Sequence, residues 1–130
     1  MGKLILLVDD SPAVRTLTRR YLEVHPNLEI CGEASDGIEA VEQALHLTPD
    51  LIVMDFSMPR RNGLEAAREL KQKMPQVPII LFTGHESAVR VSEAMEAGIS
   101  TIIAKCESRK LLLEILSLLG QPDQVVSARV

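Results

Sequence analysis

The chain has 130 residues, 46% of them hydrophobic and 25% charged, with a formal net charge of −4. That is the make-up of one globular domain with a sizeable core, and it excludes a disordered or fibrous chain. The acidic balance and only three aromatics, Tyr21, Phe56 and Phe82, exclude direct nucleic-acid binding through bulk charge or base stacking.

The apolar run Leu4 to Val8 is too short for a signal-peptide core or a membrane span. Cys31 and Cys106 lie far apart without CxxC spacing or companion histidines, which fits reduced thiols in a cytoplasmic protein and neither a disulfide scaffold nor a zinc site.

Short apolar runs then alternate with amphipathic stretches. KLILLV is continuous, as expected of a strand buried on both faces. Ser11-Pro12 supplies an N-cap and a first-position proline for a helix whose Val14, Leu17 and Tyr21 share one face. PNLE turns the chain into a weaker strand, ICGEA, and Asp36-Gly37 opens a helix carrying Ile38, Val41, Ala44 and Leu45 on one side. DLIVMD is a second clear strand, and SMPRRNG is the loop after it. The helix that follows places Leu64, Ala67 and Leu70 inward and Arg68, Lys71 and Lys73 outward. VPIILFT is the next strand, and a helix from about Ser87 to Ala97 is closed by Gly98. STIIAK and SRKLLLEILSLL complete the alternation. In the last helix Leu112, Ile115, Leu116 and Leu119 form the packing stripe, while Leu111, Leu113 and Leu118 widen it. That surplus reads as burial under neighbouring segments or as a partner face. Residues 1–120 are expected to form the domain and 121–130 a tail or the start of a linker.

Five strand–helix units in one small domain predict an α/β, doubly wound, five-stranded parallel sheet, flavodoxin-like, in the order 2-1-3-4-5. Ligands bind such sheets beyond the carboxyl ends of the strands. The ends here are Asp9-Asp10, Asp55, Thr83 and Lys105. Each alone reads as a helix cap, a turn or a solvated strand end. Together on one edge they are hard to attribute to coincidence. Carboxylates about 4 Å apart repel by roughly 4 kcal/mol at an effective dielectric of 20, so three need more compensation than one lysine. Hard oxygen donors suit Mg²⁺, and a carboxylate beside Mg²⁺, an ammonium and a hydroxyl is suited to phosphoryl transfer. No dinucleotide fingerprint, P-loop or nucleophile elbow is present.

The segments LVDDSPAVR, DLIVMDFSMPRRNGLE, PIILFTG and AGISTIIAK resemble those of response-regulator receiver domains of two-component signalling, over about residues 3–119. The resemblance implies that Asp55 is the phosphoacceptor. It implies Mg²⁺ on Asp9, Asp10, Asp55 and the Ser57 carbonyl, with Asp10 a direct ligand and Asp9 acting through water. It makes Lys105 the phosphoryl-pairing lysine and Thr83 the switch hydroxyl. The donor would be a phosphohistidine of a sensor histidine kinase or phosphotransfer protein, and the domain a switch rather than a metabolic enzyme. Many receivers use the fourth helix, fifth strand and fifth helix to bind a second copy or an effector.

Departures from the pattern are informative. Ile102 stands where receivers usually carry an aromatic switch residue, and Cys106 where a proline commonly follows the lysine. Ser57 and His85 flank the entrance an attacking water must use, positions that tune phosphoryl loss in receivers. His85 reads equally as a solvated loop residue. His25 and His46 are expected at exposed helix ends. Two rivals are an interaction module that works unphosphorylated and a Mg²⁺ phosphatase with an aspartyl nucleophile. The latter usually has a second acid where Ser57 stands.

Overall fold

A computed structural model describes residues 2–84 and 88–121. The elements are β1 (Lys3–Val8), α1 (Pro12–Glu23), β2 (Leu28–Ala34), α2 (Gly37–Leu47), β3 (Leu51–Met54), α3 (Gly63–Lys73), β4 (Ile79–Thr83), α4 (Val91–Glu96), β5 (Thr101–Ala104) and α5 (Ser108–Leu118). The sheet is five-stranded and parallel in the order β2-β1-β3-β4-β5, the doubly wound topology expected from the alternation. Strand residues alternate between two cores, as the pleat requires. Leu6, Val8, Ile52, Met54, Ile79 and Leu81 pack on α2, α3 and the α4 segment. Ile5, Leu7, Leu51, Val53, Ile80 and Phe82 pack on Leu22 of α1 and on Leu111, Ile115 and Leu116 of α5. This explains the continuous apolar runs: both faces of the sheet are covered.

Helix starts follow the capping logic. Ser11 Oγ accepts the Val14 N–H with Pro12 at the first position, and Asn62 and Glu65 form a reciprocal capping box on α3. Gly98, at φ +93°, ends the α4 segment as expected. Leu64, Ala67 and Leu70 are buried as expected.

Several packing expectations are overturned. Leu17 is 65% exposed and Tyr21 is exposed, while Leu22 is fully buried. α1 therefore sits on the sheet through its Val14, Arg15, Thr18 and Leu22 side. Ile38 and Leu45 face out, and Ala40, Val41 and Ala44 form the contact of α2. Small residues there let α2 approach the sheet closely. Lys71 is half-buried, not outward, because its Nζ donates to the Val77 carbonyl at 2.8 Å and its stem lies over Gly98. β2 starts earlier than read, at Leu28, and carries a bulge opposite Ile5/Leu6. α4 begins at Val91 and Arg90 caps it without a side-chain bond; Ser87 lies outside the described residues. Leu111 is core rather than surplus, whereas Leu113 and Leu118 are exposed. His25 is buried, with Nδ1 accepting the Asn27 N–H, so it is not an exposed helix end; His46 is exposed.

Candidate phosphoacceptor and metal site

The carboxyl ends of β1, β3, β4 and β5 bring the acidic residues and the lysine together. Carboxylate oxygens of Asp9, Asp10 and Asp55 all lie within 4.8 Å of one another. Asp55 continues from buried β3, and its N–H donates to the Val8 carbonyl at 2.9 Å. Its Oδ1 accepts the Phe56 N–H at 2.8 Å. Asp9 is held similarly: its N–H donates to the Ala34 carbonyl, and its Oδ1 accepts the Ser11 N–H at 2.9 Å. Asp9 and Asp55 are about 95% buried, whereas Asp10 is exposed.

Lys105 is the cation of this crevice. Its Nζ stands 2.7 Å from Asp9 Oδ2 and 3.0 Å from Asp55 Oδ2, and its backbone N–H donates to the Thr83 carbonyl at 3.0 Å. That main-chain bond ties the ends of β4 and β5 and places the fully buried Thr83 beside the lysine. Ser57 is exposed in the β3–α3 loop two residues past Asp55, and Ile102 is half-buried against the core on the α4 side. His85 lies outside the described residues. Cys106 is exposed next to Lys105.

Three carboxylates against one ammonium leave a formal charge of −2. The acidic cluster is therefore consistent with a receiver Mg²⁺ site: hard oxygens, one of them exposed, with a charge deficit that a divalent ion would cancel. Burial raises the Asp9 carboxyl above its ordinary value, and the Asp55 charge adds to this, against the pull of Lys105 and the Ser11 N–H. Burial also penalises the Lys105 ammonium, but its hydrogen bonds to two carboxylates outweigh that and hold it above its usual value. The two directions are compatible, because burial outweighs the one lysine at Asp9 whereas two carboxylates outweigh burial at Lys105.

A pH dependence follows. A raised Asp9 value means that the folded protein binds this proton more tightly than the unfolded chain. Its contribution to metal-free stability is therefore lost as pH rises from below the ordinary 3.8 through the raised value. In urea titrations without metal, Asp9→Asn should gain on the wild type as pH rises through that range. A difference that stays flat or changes the other way would sink this account.

Sequence reading missed two supports. The guanidinium of Arg15 donates to the Asp9 carbonyl. Buried Asp36 caps α2 through the Ile38 and Glu39 N–H groups and pairs with Arg60 at 2.7 Å. Arg60 itself has φ +65°, so the β3–α3 loop is clamped through a left-handed residue to the start of α2. The cap of Asp36 was legible from Asp36-Gly37, but its partner 24 residues away was not.

A doubly wound sheet with an acidic triad and a lysine at its carboxyl edge defines a phosphoryl-accepting switch of the receiver class. The chain belongs to the response regulator receiver domain family, whose model matches residues 5–117. It is similar to the protein-glutamate methylesterase/protein-glutamine glutaminase of Alkalilimnicola ehrlichii, with 41% identity over 102 residues, 77% of this chain and 26% of that protein. The response regulator domain of Thermotoga maritima CheB superposes with a TM-score of 0.84 at 29% identity, covering 95% of this chain and all of that one. A LuxR-family two-component response regulator from Aurantimonas sp. SI85-9A1 gives 0.83 at 35% identity, covering 93% and 88%. The chain spans 26–35% of the length of the curated methylesterase relatives it matches. As a receiver domain it serves two-component signal transduction, and a phosphoacceptor role follows from the family. Among the described residues no helix is long and apolar enough to cross a membrane.

Proposed function

We propose that Asp55 is the phosphoacceptor, charged by a phosphohistidine of a sensor histidine kinase or phosphotransfer protein. The observation that carries this is the Lys105 ammonium, in contact with both Asp9 and Asp55 inside the acidic triad. A carboxylate oxygen of Asp55 attacks the phosphorus in line, the P–N bond breaks, and the imidazole nitrogen leaves with the electron pair. Lys105 then moves its contact from the Asp55 carboxylate to a phosphoryl oxygen, and the Thr83 hydroxyl donates to another. Asp9, Asp10, Asp55 and the Ser57 carbonyl would hold Mg²⁺, which when bound neutralises phosphoryl charge. Ser57 and His85 tune access of the hydrolytic water.

The phosphoryl group favours the active state by the contacts it adds to Thr83 and Lys105. Ile102 has no aromatic ring to swing, so the shift passes through main chain and small packing changes. A second copy or an effector binds through the fourth helix, fifth strand and fifth helix, where Val91, Met95, Leu113 and Leu118 are exposed. The unit works as a cytoplasmic switch that assists its own phosphorylation and dephosphorylation. Residues 1–120 form it, and 121–130 are a tail or linker.

Incubation with a small phosphoryl donor should add one phosphoryl group with Mg²⁺ present and none with chelator, by intact mass. Borohydride trapping and peptide mapping should place it on Asp55. A gain that survives chelation, or that maps to another residue, overturns the assignment.

A further inference from the structure

We propose that Arg15 is a positioning residue for the acidic site, setting the peptide plane between Asp9 and Asp10 and thereby the direction of the exposed Asp10 carboxylate. This rests on the reading of that triad as the metal site. Arg15 lies one turn into α1 with its side chain only 17% exposed. Its Nη1 donates to the Asp9 carbonyl at 2.5 Å and its Nε to Glu33 Oε1 at 2.8 Å. Asp9 is thus held by the peptide planes on either side of it, the N–H of the Val8–Asp9 peptide on the Ala34 carbonyl and the C=O of the Asp9–Asp10 peptide on Arg15. Among the described residues no hydrogen bond fixes the Asp10 carboxylate, so the main chain, through the Asp10 Cα–Cβ vector, sets the space its carboxylate can reach.

Arg15 is itself fixed from outside. The second oxygen of Glu33 accepts from Arg19 Nη1 at 2.7 Å, and Arg19 also donates to the Ile30 carbonyl at 3.2 Å. Glu23 accepts the Ile30 N–H at 3.2 Å and lies 3.5 Å from Arg19. These four side chains carry two positive and two negative charges, a net of zero. The network therefore works by orientation, and a planar fork that bonds in two directions cannot be replaced by an ammonium.

The test is Mg²⁺ affinity by calorimetry on the full chain, together with amide exchange of Asp9, whose N–H donates to the Ala34 carbonyl, in the metal-free protein. Outer supports of metal ligands are worth about tenfold or more in affinity. Arg15→Met and Arg15→Lys should both bind Mg²⁺ about tenfold more weakly, with faster Asp9 exchange. Glu33→Gln should fall between them and the wild type. Wild-type affinity in Arg15→Met, or in Arg15→Lys, overturns the proposal; the second result would make the role one of charge. Should Arg15→Met fail to fold, Arg15→Lys and Glu33→Gln carry the same comparison. Asp10→Asn is the control. If it leaves Mg²⁺ affinity unchanged, the reading of the metal site fails, whatever Arg15 does.

Discussion

An Asp55→Asn variant is expected to take up no phosphoryl group from any donor and yet to be more stable than the wild type without metal. The loss is complete because an amide offers no nucleophilic oxygen of carboxylate strength. The gain follows from the charges around it. Asp55 faces two like charges, Asp9 and Asp10, within 4.8 Å and one opposite charge, Lys105, at 3.0 Å. Removing it relieves two repulsions at the cost of one attraction of similar size, and Lys105 keeps Asp9 at 2.7 Å. The net gain should be about 1 kcal/mol in metal-free urea unfolding. Lys105→Met should move the other way, by about 3–5 kcal/mol, since it leaves two buried carboxylates uncompensated. Saturating Mg²⁺ should narrow both differences. It stabilises the wild type more than Asp55→Asn, which lacks one carboxylate, and Lys105→Met more than the wild type, whose ammonium competes for the same oxygens. An ion bound only by the folded state contributes about 2.7 kcal/mol at a hundred times Kd. A destabilised Asp55→Asn, or a Lys105→Met that unfolds like the wild type, would show that the crevice is not under this electrostatic load.

The carboxyl-edge chemistry was legible in the sequence because buried parallel strands read as continuous apolar runs, and their ends name the residues on one edge. Asp9, Asp10, Asp55 and Lys105 meet for that reason. Helix faces were less legible. On α1, Leu17 and Tyr21 offered an apolar row, but the helix is rotated so that Arg15 faces inward to serve the Asp9 carbonyl and Glu33. A helical stripe cannot reveal that, since the partner Glu33 becomes adjacent only when β2 pairs with β1 and sets Glu33 beside Leu7. The Arg60–Asp36 clamp was hidden likewise, as it depends on the β3–α3 loop lying against the start of α2. His25 was misplaced because its burial comes from the α1–β2 turn folding back on itself, where Leu28 N–H returns to the His25 carbonyl. Propensity and period thus located the strands and the reactive ends, and tertiary register supplied the supports.

The second large effect lies behind Asp55. Gly63→Ala is expected to destabilise the protein by about 3 kcal/mol and to slow phosphoryl uptake. Gly63 opens α3, where alanine would ordinarily be favoured by about 1 kcal/mol. Its surroundings reverse that sign. A Cβ there would stand 2.4 Å from the Asp55 carbonyl oxygen and 3.1 Å from both Phe56 Cα and Leu81 Cδ2. The first two are main-chain atoms that cannot rotate away. The Gly63 N–H also donates to the Phe56 carbonyl at 2.8 Å, so moving α3 outward breaks the bond that closes the loop over the site. Either the loop carrying Ser57 shifts or the Asp55 peptide does, and both displace the Asp55 carboxylate. Gly84→Ala is the matched control, since nothing lies within 4 Å of its would-be Cβ, and its stability should change by no more than about 0.5 kcal/mol. Urea midpoints and initial rates of phosphoryl gain at saturating Mg²⁺ decide the matter. If Gly63→Ala matches the wild type in both, α3 packs less tightly on Asp55 than these distances require; if it loses stability alone, the clash is absorbed away from the site.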